Sequence, residues 1–164
     1  MIHQSVNPEG RILAVDPGDV RIGLAVSDPL GIIANPLQVL KHISRNENAR
    51  RIANIAAEKE AVMIVVGQPL DSYGEVGPAA KKSARLARAI QKFTETEVVL
   101  WDESGTTKAA QRAYIEMNVP KKKRRGHLDH IAATIILQSY LDAHASRPIY
   151  PKEELPDGQE DQIE

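Results

Sequence analysis

The segment Ala61-Val-Met-Ile-Val-Val-Gly67 constrains the fold of this chain more than any other. It is apolar without interruption, and stretches with helical character flank it on both sides. A strand that reads as a continuous apolar run has both faces covered. That condition belongs to parallel strands whose crossover helices lie on the sheet. Upstream, Ser44-Arg-Asn-Glu47 is a capping box that opens a helix to about Glu60, with Ala49, Ile52, Ile55 and Ala56 on one face. Downstream, the loop Gln68 to Gly77 is rich in turn residues. Pro78 then suits the first turn of a second helix, through about Phe93, with Leu86 and Ile90 inward. A further strand is expected at 97–103.

Three strand-like segments precede this unit, at 11–16, 21–27 and roughly 32–40. Their short connections, including the turn Asp28-Pro-Leu-Gly31, predict an antiparallel meander. Two more helices are expected, from about Thr107 to Met117 and from about His127 to Ala143. The fold class is therefore α/β, with a five-stranded mixed sheet (an antiparallel meander plus two parallel strands) flanked by helices. That order is the ribonuclease H-like architecture. Doubly wound flavodoxin-like folds compete with it but lack the opening meander.

A chain of 164 residues with 42% hydrophobic and 26% charged residues suits one globular domain. We expect a ribonuclease H-like domain over 11–145, a loose leader over 1–10 and an acidic, mobile tail over 146–164. The absence of cysteine excludes a disulfide framework, a thiolate metal site and a cysteine nucleophile. No secretion signal is visible at the N-terminus, and no apolar run approaches the ~20 residues of a membrane helix. The expectation is a cytoplasmic protein with no membrane partner, as monomer or homodimer. The net charge of −1 conceals an asymmetry: residues 147–164 hold two basic and six acidic side chains, leaving 19 basic and 16 acidic in the body. A mildly basic body permits nucleic-acid binding without requiring it.

Acidic residues stand where apolar segments meet loops or a helix opening. Asp16 ends Arg11-Ile-Leu-Ala-Val-Asp and is followed by Pro17-Gly18. Asp102 and Glu103 end Val98-Val-Leu-Trp-Asp-Glu, and Asp129 opens the last helix. Carboxylates are poor strand residues and repel one another at a sheet end unless a cation joins them. Hard divalent ions, Mg2+ or Mn2+, favour such oxygen ligands, and a pair of them can activate water and stabilise a leaving oxygen in phosphodiester cleavage. Asp16, Glu103 and Asp129 are the candidate catalytic and metal-binding residues. Adjacent strand residues point to opposite faces, so Asp102 is the alternative to Glu103. Each position has a plainer reading: Asp16 as a turn residue, Asp102-Glu103 as the entrance to a helix, Asp129 as a complement to a helix dipole. Together they favour a metal site.

Lys121, Lys122, Lys123, Arg124 and Arg125 directly precede the Asp129 helix. Beside carboxylates, this run would attract a phosphate backbone; alone, it would read as a solvated loop. Arg21, Lys108 and Arg112 extend the expected patch. Few aromatic residues are available for stacking, so recognition by backbone and shape is expected. His127 and His130 flank Asp129 and suit capping or surface roles better than ligation.

Arg11-Ile-Leu-Ala-Val-Asp-Pro-Gly-Asp-Val-Arg-Ile-Gly-Leu-Ala-Val-Ser-Asp-Pro resembles the opening of the YqgF/RuvX family. Val65-Val-Gly-Gln-Pro-Leu, Asp102-Glu103 with Thr106-Thr107, the run 121–125 and Asp129-His-Ile-Ala-Ala are similar to its later motifs, in order. The resemblance implies a ribonuclease H-like nuclease that trims the 5′ end of precursor 16S ribosomal RNA, with Asp16, Glu103 and Asp129 at the family's acidic positions. Its partners would be structured RNA and pre-ribosomal particles. Resolution of branched DNA at Holliday junctions is the alternative. The chain departs from the family's Asp-Glu-Arg-Leu with Asp102-Glu-Ser-Gly105, which removes a phosphate-contacting arginine and gives a non-catalytic RNA-binding factor its best support. An actin-like ATPase shares Asp16-x-Gly18 but needs two domains, for which this chain is too short.

Overall fold

The protein is described here from a computed structural model, which covers residues 9–103 and 128–145, with residues 128–130 as backbone only. The expected helix at 107–117, the basic run 121–125, residues Ser104 and Gly105, most of the leader and the tail lie outside the described residues.

The strands are β1 (Arg11–Asp16), β2 (Arg21–Ser27), β3 (Ala34–Lys41), β4 (Ala61–Gln68) and β5 (Glu97–Asp102). The helices are α1 (Arg45–Glu58), α2 (Pro78–Gln91) and α3 (Leu128–His144). The sheet order is β3-β2-β1-β4-β5. β1, β2 and β3 pair antiparallel, whereas β4 pairs parallel with both β1 and β5. This is the expected meander extended by two parallel strands.

Alternation along the strands divides the core into two layers. Leu13, Val15, Ile22, Leu24, Ile64 and Val66 pack with Ile52, Leu86 and Ile90 beneath α1 and α2. Ile12, Ala14, Ala25, Met63 and Val65 pack with Ile136, Leu137 and Tyr140 of α3 on the opposite face. Each fully buried Leu, Ile or Val contributes about 1.5–3 kcal/mol relative to exposure, so coverage of β1 and β4 from both sides locks the centre of the sheet. β5 is an edge strand and is buried less completely.

Local hydrogen bonds account for the boundaries. Ser44 caps α1 by accepting from the Glu47 N–H, as the capping box predicts. β3 begins two residues later than expected because Asp28 holds the preceding segment. Its Oδ1 accepts the N–H groups of Ile32 and Ile33 at 2.7 Å each, and Leu30 donates to Oδ2 at 3.2 Å. Those donors are lost to the sheet ladder. α3 runs back across the sheet from the carboxyl ends of the parallel strands. Ile136 lies against Gly67, near the end of β4, and the Tyr140 hydroxyl reaches Met63 Sδ near its beginning at 3.0 Å. Trp101 of β5 meets the Tyr140 ring edge-on and donates from Nε1 to Ser139 Oγ at 3.3 Å. Among the described residues no helix is long and apolar enough to cross a membrane.

Candidate active site

The parity of β1 decides where its terminal acid lies. Ile12 and Ala14 face α3, whereas Leu13 and Val15 face α1 and α2. Asp16 therefore belongs to the α3 face, at the carboxyl end of the central strand, and is half-buried. β5 obeys the same rule. Val99 and Trp101 pack in the α3 layer and Val98 in the other, so Asp102 falls on the α1/α2 side and Glu103 returns to the side of Asp16. Sequence parity alone left Asp102 and Glu103 equivalent; the packing of Trp101 on α3 separates them.

Glu103 stands one residue beyond β5, not at its last position as expected. It stays tied to the sheet, because its N–H donates to the Gln68 carbonyl at 3.2 Å. Asp102 is exposed and Glu103 partly buried. Burial, aided by the adjacent Asp102 charge, pushes the Glu103 carboxyl above the usual carboxylate range.

Two glycines clear the space around these acids. Gly23 of β2 pairs directly with Asp16, and Gly67 lies one step beyond the Val15↔Val66 pair on the other flank. Both are buried, and alternation places both on the α3 face. A Cβ at Gly67 would stand 2.7 Å from Ile136 Cδ1 and 3.4 Å from Glu103 Oε1. Gly67 is thus required by the close approach of α3 and Glu103, a role its place within an apolar strand signals. Gly18 serves the backbone turn. A Cβ there would meet the Arg21 carbonyl oxygen at 2.1 Å, so it permits the tight β1–β2 turn.

Asp129 lies in the first turn of α3, seven residues before Ile136 and on the same stripe of the helix. At 1.5 Å per residue this sets it about 10 Å from the Gly67 contact, toward the carboxyl edge of the sheet. Its side chain lies outside the described atoms. Arg21 opens β2 at that edge, exposed, and shares the parity of Gly23. Among the described residues no three His, Cys, Asp or Glu side chains form a metal-sized group. The fit to a hard divalent cation rests on the donor set: two carboxylates of one parity, with Asp16 flanked by Gly23 and Gly67, and a third carboxylate residue on the helix above.

Comparison with known proteins agrees with this architecture. A family model described as "RuvX: Holliday junction resolvase" matches residues 10–143. A protein of Halalkalibacterium halodurans named "Putative pre-16S rRNA nuclease" is 40% identical over 134 residues, covering 80% of this chain and 96% of that protein. A relative of the same name from Halothermothrix orenii is 40% identical over 132 residues, covering 80% and 94%. Among solved structures, Thermus thermophilus RuvC in complex with a Holliday junction substrate superposes with a TM-score of 0.55 at 15% identity, covering 84% of this chain and 96% of that one. The fowlpox virus resolvase in complex with junction DNA gives 0.53 at 13%, covering 81% and 97%. The fold is thus the expected ribonuclease H-like one. With a family model spanning nearly the whole described core and relatives matched over almost their full length, the chain belongs to the RuvX family.

Proposed function

We propose that this protein is a metal-dependent nuclease that hydrolyses phosphodiester bonds in structured RNA, at the 5′ end of precursor 16S ribosomal RNA. The observation that carries the reading is the common parity of Asp16 and Glu103 on the face that α3 crosses, with Asp129 opening that helix. Asp16, Glu103 and Asp129 would hold Mg2+ or Mn2+, with Asp102 outside on the other face. When bound, the cation neutralises charge on the phosphate and lowers the pKa of the attacking water.

The remaining work falls to the chain. Asp16, on a strand paired on both sides, fixes one ligand position rigidly. Glu103 in its partly buried position favours a positive partner for its charge, since burial and Asp102 disfavour the bare carboxylate. Gly67 lets α3 and Glu103 close on the end of β4, beside Asp16. Arg21 at the open edge attracts the backbone, and residues 121–125 supply further positive charge in the same role. The substrate is assigned from the names of relatives 40% identical to this chain. Resolution of four-way DNA junctions is the second reading, favoured by the family's description.

The test is a side-by-side cleavage assay with precursor ribosomal RNA, a four-way DNA junction and single-stranded RNA, with and without manganese. Asp16→Asn and Asp129→Asn should each abolish metal-dependent cleavage while leaving the circular dichroism spectrum unchanged. Undiminished cleavage by both variants sinks the assignment. Cleavage of the junction by a stable dimer, with precursor RNA untouched, replaces it with the second reading.

A further inference from the structure

A cleft lies around the corner of the sheet from the carboxylates, on the α1/α2 side. Its volume is about 630 Å³, and its walls are the β1–β2 turn, the start of α1 and the first turns of α2. Pro17, the residue after Asp16, lines it. One peptide unit therefore separates the cleft from the acid on the opposite face.

Its charge is one-sided. Arg45, Lys82 and Arg85 line it with His42, against a single carboxylate, Asp19. Asp19 is already taken by Lys82, whose Nζ lies 2.8 Å from its Oδ1, and both side chains are exposed. Among the described residues Arg45 and Arg85 take part in no ion pair. Arg45 is the first residue of α1, where a helix favours an anion, and the acid of that turn, Glu47, is paired with Arg50. α2 has no acid in its first turn and no capping side chain at Gly77, and its residue Ala79 lines the cleft. Arg85, in the middle of α2, lines the same concavity. Cations gathered there from two helices repel one another until an anion joins them.

We propose that this cleft is a phosphate-binding subsite, with Arg45 and Arg85 as its principal contacts and Lys82 released from Asp19 when the ligand arrives. Phosphate of a nucleic-acid backbone is the ligand the position favours, and that identification rests on the nuclease reading. A strand crossing the carboxyl edge of the sheet passes from the face of Asp16 to the cleft beside Pro17. The cleft would orient the strand over the acids without touching the reacting atoms.

The experiment measures binding, so that it stands apart from cleavage. In the Asp16→Asn background, fluorescence anisotropy follows an RNA hairpin with a single-stranded extension between about 50 and 200 mM salt. R45A/R85A should weaken binding about tenfold, the worth of a charge-assisted hydrogen bond. It should also flatten the slope of log affinity against log salt by about 0.7 for each phosphate no longer neutralised. K59A/K92A removes the same charge from the opposite ends of the two helices and should change neither quantity. The single variants Arg45→Gln and Arg85→Gln give partial effects and serve in its place if the double variant melts early. ATP and inorganic phosphate, titrated by calorimetry, separate the sources. If R45A/R85A loses ATP binding but keeps RNA affinity and salt slope, the backbone assignment is overturned in favour of a free phosphate compound. Unchanged binding of RNA, ATP and phosphate overturns the subsite. Absence of cleavage of any substrate by the wild type would sink the nuclease reading instead, and leaves the binding comparison intact.

Discussion

Gly67→Ala tests whether the candidate site depends on the close approach of α3 to β4. Gly67 has no positive φ, so the backbone accepts alanine and the effect is steric. The new Cβ would stand 2.7 Å from Ile136 Cδ1, whereas carbon atoms pack at about 3.5–4.0 Å. Ile136 is 2% exposed, so its Cδ1 can turn only into packed core atoms, and the side chain and α3 together must give by about 1 Å. Overpacking of this kind costs about 1–3 kcal/mol, offset by about 0.4–1 kcal/mol from the stiffer unfolded chain. The expected net loss is about 1–2 kcal/mol, or a fall in Tm of roughly 2–8 °C for a domain of this size. Activity should fall more than stability. Asp129 shares the Ile136 stripe, and a displacement of about 1 Å can lower a rate about a hundredfold. Glu103 Oε1, at 3.4 Å, needs to give only a few tenths of an ångström. Ile136→Val deletes the clashing Cδ1, at a cost of about 0.5–1.5 kcal/mol on its own. The double variant should therefore melt within about 0.5 kcal/mol of Ile136→Val and recover most of the cleavage of precursor RNA. A Gly67→Ala protein with unchanged Tm and activity refutes the steric argument. A double variant no better than the single places the damage elsewhere than at Ile136.

Two further outcomes follow from the electrostatics. The Glu103 carboxyl is held above its ordinary value of 4.5 by burial and by Asp102, so its stabilising effect is complete below that value and is lost as pH rises through the raised folded value. In chelator, Glu103→Gln should match the wild type near pH 4 and melt higher at pH 8 by scanning calorimetry, and added manganese should raise the Tm of the wild type alone. Asp28 shows the opposite sign: the N–H groups of Ile33, Ile32 and Leu30 lower its pKa below 3.8. Its contribution is present above that value and is lost as pH falls through the lower folded one. Asp28→Ala should lose about 1 kcal/mol at pH 7, the size of a helix cap. The difference should shrink below pH 3.8 in urea titrations, with RNA cleavage at 25 °C unaffected.

The fold was legible because its signals are local and consistent. The run 61–67 named a strand covered on both faces, Ser44-x-x-Glu47 opened α1, and the close spacing of the first strands required hairpins. The late start of β3 was not legible, since Asp28 takes backbone donors up to five residues downstream. Within the site, Asp16 stood out as a strand-end acid, but the choice between Asp102 and Glu103 needed a fact from outside the segment, the packing of Trp101 on Tyr140. Gly23 and Gly67 looked like ordinary strand glycines until register set them on either flank of Asp16. The proposed subsite was not legible because Arg45 on α1 is brought to Lys82 and Arg85 on α2 only by the packing of the two helices; the clue was a cation at the first position of α1. Asp129 and residues 121–125 rest on sequence alone.

The strand order has a consequence for the mechanics of catalysis. Asp16 rides the middle strand, hydrogen-bonded on both edges, while Glu103 follows a border strand with a neighbour on one side only. Amide exchange at β1 therefore requires global opening, whereas β5 can fray alone. Under the proposed assignment the two acids would sit on parts of the molecule with different compliance: a fixed jaw and a sprung one. A cation held by both would join β5 to the centre of the sheet, so loading the site would tighten the border strand. Heating should unfasten that jaw, and extinguish catalysis, before the domain itself melts.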